Sequence, residues 1–234
     1  MNSTLLYTLL AVALWCGSPL TVTPVAAQAA PAPVSDVEAR TNRAVAQAAR
    51  QQIGKTLFYD PAYVRLAYPG GDLPLERGVC ADVVIRALRS EGVDLQRLVH
   101  EDMRKHFSAY PQKWKLTRPD ANIDHRRVYN LETWFNRHNK ALPVTAVYSD
   151  YQPGDIVSWR LDNGLAHIGV VADRYAADGT PLIVHNIGAG AQLENVLFSW
   201  RIIGHYRYFT DRTAGSQPSS ACFPASRSLS PVCR

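Results

Sequence analysis

The chain lacks several features that mark common classes of binding protein. It has no run of Lys and Arg interleaved with aromatic residues, although its formal net charge is +5, so we expect no nucleic-acid partner. It has no His-Glu-x-x-His motif, and His100 and His106 have no nearby Cys or Asp at ligand spacing. We therefore expect neither a metal nor another cofactor. No internal repeat is visible, and the basic charge favours attraction to anionic polymers such as cell wall or membrane surfaces.

Long apolar runs are also missing, apart from one near the start of the chain. The run from Leu5 to Trp15 is too short for a stable membrane span. Pro- and Ala-rich sequence follows it, with small residues around Ala27 that suit signal-peptide cleavage. Residues 1–27 are thus predicted to be a secretory signal, which makes the protein exported, to the periplasm or the extracellular space, with no stable membrane anchor after cleavage. The alternative is an N-terminal core helix.

Cysteine is scarce, with four residues in the chain. Signal cleavage would remove Cys16, and Cys222 and Cys233 lie in a Ser- and Pro-rich tail, where they could pair in an oxidising compartment or both stay free. Cys80 is then the odd thiol. An unpaired cysteine in a secreted protein is a candidate reactive group.

The order of elements predicts an α+β domain, with helices first and an antiparallel meander second. Residues 28–34 read as a flexible leader, 35–210 as the catalytic domain and 211–234 as a tail. The length suits one domain, and we expect a monomer. The predicted helices are Ser35 to about Ile53, Cys80 to near Gly92, Leu95 to His106 and one capped by Asn130; the predicted strands are Val144–Tyr148, Ile156–Arg160, His167–Asp173, Leu182–Asn186 and Ile202–Phe209.

Cys80 stands at the predicted start of a helix. Val83, Val84, Ala87 and Leu88 share one face of that helix at spacings of three and four. Unpaired N–H groups and the helix dipole at this position favour a negative charge, and the thiolate is the nucleophile. The alternative is a buried structural cysteine, because free Cys is among the most buried residue types.

Thiol catalysis also needs a base and a group that orients the base. His167 starts one predicted strand and His185 ends the next, so the two lie near each other across the ladder. His167 is the predicted base, and either His185 or Asn186 could orient its ring. The register decides between them, because a slip of one residue exchanges the faces of the strand.

Two further polar groups have two interpretations each. The segment Asp124-His125-Arg126-Arg127 is either a solvated turn or a substrate-binding loop whose arginines hold carboxylates. Asp82 is either a partner of the first helical turn or a contact for a substrate amine.

These residues resemble those of NlpC-type cysteine peptidases of papain-like fold, which cut peptide bonds in bacterial cell-wall stems. The resemblance is carried by Tyr68-Pro69-Gly70-Gly71 upstream of the cysteine, His167-Ile168-Gly169 and Val184-His185-Asn186-Ile187, although Val79 and Ala81 depart from the usual flanks of the cysteine. The 50–209 span resembles domain-of-unknown-function family 1287 of exported bacterial proteins more closely. Its signatures Gly-Val-Cys, Asn-Ile-Asp-His-Arg-Arg and His-Asn-Ile-Gly occur here at Gly78, Asn122 and His185.

The resemblance implies a papain-like fold in which Cys80 is the nucleophile, His167 the base and His185 the orienting residue. Tyr68 would help to stabilise the oxyanion. The implied activity is that of a cysteine amidase or peptidase that hydrolyses amide bonds through a thioester, with peptidoglycan stem peptides or other peptides as substrate. Alternatives are an inert cell-wall or peptide-binding module on the same fold, and acyl transfer to an amine.

Overall fold

The computed structural model describes the backbone of residues 35–209 and the side chains of residues 42–209. The predicted signal, the leader, residues 211–234 and the cysteines Cys16, Cys222 and Cys233 lie outside the described residues. No helix within the described part is long and apolar enough to cross a membrane.

Four α-helices are present in the described chain. They are α1 (Ser35–Arg50), α2 (Cys80–Arg89), α3 (Leu95–His106) and α4 (Val128–Arg137), with short 3₁₀ helices at Phe107–Ala109, Asp124–Arg126 and Tyr148–Asp150. The predicted helix starting at Cys80 is confirmed. Gly54 and Gly92, at φ of +74° and +77°, lie in the turns after α1 and α2, where a residue without Cβ adopts the left-handed conformation at no steric cost.

The strands form two sheets. A parallel pair, β1 (Phe58–Tyr59) and β2 (Arg77–Gly78), precedes α2. An antiparallel sheet in the order β3-β8-β4-β5-β6-β7 contains the remaining strands, which are β3 (Ala141–Leu142), β4 (Ile156–Arg160), β5 (Ala166–Tyr175), β6 (Pro181–Asn186), β7 (Ala191–Glu194) and β8 (Arg201–Tyr206). The predicted α+β class, with N-terminal helices packed on an antiparallel sheet, is confirmed.

The two faces of the antiparallel sheet bury different cores. Ile168, Val170 and Val184 pack with the helices, including Cys80 and Leu88 of α2. The intervening residues point the other way, and this second core consists of Tyr151, Val157, Trp159, Val171, Ile183 and Leu197. We call these the helix face and the far face of the sheet.

Two predicted elements need correction, and one strand was missed. Val144–Tyr148 is not a strand: Val144 and Val147 are exposed, and the chain enters a 3₁₀ turn at Tyr148. Ala141–Leu142 takes the edge of the sheet instead, beside β8. Asn130 does not cap α4 but lies inside it, fully buried, and donates to the Asp124 carbonyl. The edge strand β7 was not predicted.

Candidate active site

Cys80 is the first residue of α2 and lies in the floor of an open cleft. The cavity has a volume of about 230 Å³ and is lined by Tyr59, Pro61, Val79, Cys80, Trp114, Ile123, Arg126, Arg127, Val128, Tyr129 and Ala166; we call it the Cys80 cleft. The residue is 4% exposed, so the thiol can be reached only from this cleft. The structure thus places the predicted nucleophile at a helix start and at a cavity, as a thiol attack would require.

The surroundings of the sulfur work against the thiolate. Burial raises the pKa of the Cys80 thiol to about 12, and the nearby Asp82 carboxylate adds to this, while backbone N–H groups of Ile168, Ala81 and Cys80 itself oppose the shift. At neutral pH the resting group is therefore a neutral thiol. A base would have to remove its proton during the reaction.

The predicted pair of histidines is formed. His167 Nε2 lies 2.8 Å from His185 Nδ1 across neighbouring strands, and both rings are buried. Trp159 and Trp200 flank His167 at ring-centroid distances of 5.8 Å. Burial, followed by the neighbouring His185, lowers the pKa of His167 to about 3, so the resting ring is neutral and one of its nitrogens can accept a proton.

The register settles which residue lies against His167. His185 shares the far face of the sheet with His167, because Val171 pairs with Ile183 and Val170 with Val184. Asn186 points to the helix face, where its amide donates to the Gly78 carbonyl at 2.9 Å. Asn186 thus anchors the segment leading into Cys80, and it neither orients the His167 ring nor is free to bind a substrate.

Cys80 lies against the backbone of β5, but no hydrogen bond joins it to His167 among the described residues. The sulfur receives the backbone N–H of Ile168, the residue that follows His167. Alternation along β5 directs Ile168 to the helix face and the His167 ring to the far face. The role of His167 as the base of Cys80 therefore stays a prediction.

Glu194 is a site residue that the sequence analysis missed. Its Oε2 lies 2.8 Å from His185 Nε2, and its side chain is 47% exposed while that of His185 is fully buried. Glu194 is opposite Ile183 in the β6–β7 ladder, which makes it a diagonal neighbour of His185 on the same face. Only the pairing of β7 with β6 could have identified it.

Tyr59, and not Tyr68, is the tyrosine whose backbone pairs beside Cys80 and whose side chain lines the cleft. Tyr68 is 45% exposed, packs edge-on against the His100 ring at 5.1 Å and does not line the Cys80 cleft. Tyr59 pairs with Gly78 in the parallel ladder and lines the cleft beside Cys80. Burial, then the proximity of Cys80, raises the pKa of the Tyr59 hydroxyl, which keeps it protonated and able to donate. The predicted role of Tyr68 at the oxyanion is thus corrected.

Asp82 and Arg126 bind each other instead of facing a substrate. The Asp82 carboxylate accepts the Val79 N–H at 2.7 Å, which caps α2, and accepts Arg126 Nε at 3.0 Å and Nη2 at 2.9 Å. Arg126 also donates to the carbonyls of Asp60 and Ala62. Both charges are buried, and Asp82 does not line the cleft, so its predicted substrate contact is corrected to a structural one. Arg126 lines the cleft, but each of its nitrogens binds Asp82 or one of the two carbonyls.

The rest of the Asp124–Arg127 segment divides in the same way. Asp124 is buried and accepts from the Asp120 N–H and from Arg127 Nη1 at 3.0 Å. His125 is also buried, and desolvation, with the neighbouring Arg126, lowers its pKa to about 4. The segment is therefore neither a solvated turn nor, for these two residues, a substrate contact.

Arg127 keeps the predicted position at the cleft, beside Arg126, which is held by Asp82. It is half-buried, lines the Cys80 cleft and lies 4.1 Å over the Trp114 ring. Tyr129 extends this aromatic wall, with Arg160 4.3 Å from its ring. Among the described residues, no group of three or more His, Cys, Asp or Glu side chains is arranged to hold a metal ion.

Comparison with known proteins identifies the family. Residues 46–208 match the family described as Domain of unknown function (DUF1287). The chain belongs to this family. It is 73% identical over 181 residues to "Uncharacterized protein YijF" of Escherichia coli strain K12, which covers 77% of this chain and 88% of that protein.

Solved structures whose backbones match part of this chain include NlpC proteins from Trichomonas vaginalis. NlpC1 matches with a TM-score of 0.39 and NlpC2 with 0.38, each at 14% identity, over 71% and 72% of this chain. The chain spans 44% and 47% of the length of those two proteins. Likeness at this level says nothing about chemistry, so any activity of the DUF1287 chain must be argued from its own residues.

Proposed function

We propose that this DUF1287 protein is an exported cysteine amidase or peptidase that hydrolyses amide bonds, with peptidoglycan stem peptides as its substrate class. The observation that carries the proposal is the position of Cys80: a thiol at a helix N-terminus that lines the cleft, with its sulfur near the backbone N–H of Ile168, the residue after His167 of the His167–His185 pair. Nucleophile, base and orienting group are the components that thiol catalysis needs.

The proposed reaction begins from a neutral pair. In the proposed step, which requires substrate binding to bring the His167 ring from the far face to the edge of the Cys80 cleft, its free Nδ1 takes the proton of the Cys80 thiol as Sγ bonds to the substrate carbonyl carbon. The C–N bond then breaks, and the leaving nitrogen takes that proton from the imidazolium and departs as an amine. Water, deprotonated by His167, attacks the thioester carbonyl and releases a carboxylic acid, and the proton returns to Sγ. Hydrogen bonds of this kind often tighten only when substrate binds.

The groups that would stabilise the oxyanion are present on the helix face. Backbone N–H groups of Ile168 and Ala81 lie by the sulfur, and Tyr59 lines the same cavity. Donors aimed at the developing negative charge are among the largest contributions to catalysis. This arrangement supports acyl transfer more than any other reaction class.

The test is digestion of purified muropeptides with the protein and with Cys80→Ala. We expect new amine and carboxylate termini with the wild-type protein only, identified by mass spectrometry. Cys80→Ser is the matched variant, because its hydroxyl keeps the shape of the site but is a weaker nucleophile. Identical products from wild type and Cys80→Ala would contradict the proposal.

A second candidate is a peptide-binding module without turnover. It is favoured by the raised pKa of the Cys80 thiol and by the lack of a Cys80–His167 hydrogen bond within residues 42–209. Alkylation with iodoacetamide at pH 7 separates the two. A catalytic pair predicts labelling that slows at least severalfold in His167→Ala, whereas a binding module predicts slow labelling that this substitution leaves unchanged.

A further inference from the structure

Glu194 is the charged group that lies beside Nε2 of His185, the ring nitrogen turned away from His167, and it has no role in the reaction proposed above. The His185 ring is fully buried, and its Nε2 has no partner of hydrogen-bond geometry among the described residues, but the Glu194 carboxylate approaches it to 2.8 Å. Glu194 itself lies on the edge strand β7 and is half exposed. A buried ring nitrogen is thus in contact with a carboxylate that reaches in from the surface.

An ionised carboxylate accepts hydrogen bonds and donates none. A negative oxygen 2.8 Å from the Nε2 of His185 therefore favours the tautomer with the proton on that nitrogen, since it attracts an N–H and repels a lone pair. Because burial lowers the pKa of His185, the ring holds one proton, and its Nδ1 is then a lone pair. The tautomer of the buried His185 ring thus depends on the Glu194 carboxylate, which is half exposed at the surface of the protein.

The tautomer of His185 in turn determines the tautomer of His167. His185 Nδ1 and His167 Nε2 are 2.8 Å apart and share one proton. If His185 Nδ1 is the lone pair, His167 Nε2 must be the donor. Since His167 is also neutral, its Nδ1 is left as a lone pair, which is the state a base for the Cys80 thiol requires.

The opposite placement of the protons on the two histidine rings would leave His167 unable to act as a base. With Nδ1–H on His185, the shared position on His167 Nε2 would be a lone pair, and Nδ1 of His167 would carry the proton. That nitrogen could then donate a hydrogen bond but not take a proton. Two neutral rings allow both pairs of tautomers, and the Glu194 carboxylate is the group that favours one pair over the other.

We infer that Glu194 is a positioning residue that fixes the tautomers of His185 and His167, so that the Nδ1 of His167 is free to accept a proton. The value of this state for catalysis rests on the proposed function, but the tautomers themselves do not. Glu194 touches neither Cys80 nor the Cys80 cleft, so it acts only through the two rings.

Histidine tautomers are read directly from two-bond ¹H–¹⁵N correlation spectra of the purified protein labelled with ¹⁵N-histidine. We expect the Nε2–H form for both rings in the wild type. Glu194→Lys puts a donor where the acceptor stood, and both rings should shift to the Nδ1–H form. Glu194→Asp should restore the wild-type pattern, because it keeps an acceptor.

Glu91→Lys is the matched control, since it makes the same charge change at a glutamate whose side-chain contact is with Ser90, away from the histidines. It should leave both tautomers as in the wild type. An Nδ1–H signal for His167 in the wild type, or unchanged tautomers in Glu194→Lys, would overturn the inference. If the tautomers behave as expected but muropeptides are not cleaved, the proposed function fails and the role of Glu194 stands.

Discussion

At the scale of single residues, we infer that Arg127 contributes to recognition in the Cys80 cleft, which it lines. Its guanidinium is stacked on Trp114, and one of its nitrogens is held by Asp124. A planar guanidinium fixed in this way presents its other donors in a set geometry, which suits a carboxylate. Stem peptides carry such groups, so Arg127 connects the cleft to the proposed substrate class.

We therefore predict that Arg127→Lys raises the KM for a muropeptide with a free carboxylate about 10-fold and leaves kcat within about twofold. A charge-assisted hydrogen bond contributes about 1.5–3 kcal/mol, and lysine keeps the charge but loses the planar fork. For the same peptide with its carboxylate amidated, the wild type and Arg127→Lys should have the same KM. Arg43→Lys, on the exposed side of α1, is the control, and an equal rise in KM for the amidated peptide would contradict carboxylate recognition.

Residue-level reasoning from the sequence succeeded where the local pattern contains the answer. The apolar spacing after Cys80 is enough to predict a helix start there, and turns on both sides of β5 and β6 are enough to bring His167 near His185. The choice between His185 and Asn186 was open because it depends on register. Glu194 and Tyr59 were missed because the first depends on an edge strand and the second on a parallel pair of two residues each.

At the scale of elements, the start of α2 is held by a buried ion pair between two segments far apart in sequence. Asp82 caps the helix through the Val79 N–H and binds Arg126 of the 3₁₀ turn Asp124–Arg126. A polar segment such as Asp124–Arg127 is typical of a surface loop, and nothing local in the sequence shows that an acidic partner lies across from it. This is why the solvated turn and the substrate loop were both plausible and both incomplete.

Breaking this pair from one side should be costly. We predict that Asp82→Ala lowers the free energy of unfolding by about 3–5 kcal/mol, because it leaves the Arg126 charge buried without a partner. Asp82→Asn keeps an acceptor for the Val79 N–H, so comparison of the two variants separates the cap from the charge. Urea denaturation followed by circular dichroism measures both.

A double variant completes that experiment. Asp82→Ala combined with Arg126→Leu should be less destabilised than the sum of the two single variants, since neither charge is then left alone. Additive costs would show that the two side chains stabilise the helix independently. In either case, loss of activity in these variants would reflect a displaced Cys80 rather than a lost substrate contact.

At the scale of the whole molecule, buried neutral histidines connect the fold to pH. The pKa values of His125, His167 and His185 are all lowered, by burial in the first place. In the unfolded chain each ring binds a proton near its ordinary pKa of about 6.5, whereas the folded protein resists protonation to lower pH. Stability from these groups is therefore complete above about pH 6.5 and is lost as the pH falls toward the folded values.

His125 tests this because it lies outside the Cys80 cleft and has a buried Nδ1 without a partner among the described residues. The groups around it include Arg126, Arg89, Asp94 and Asp72. Between pH 7 and pH 4.5 the unfolded chain binds a proton at this position and the folded chain largely does not, since its pKa is about 4. We predict that His125→Leu loses about 2 kcal/mol less unfolding free energy over that interval than the wild type.

His106→Leu, at an exposed histidine, should follow the wild-type curve. A His125→Leu curve parallel to that of the wild type would show that this histidine is not the source of acid sensitivity, and that the carboxylate pairs account for it instead.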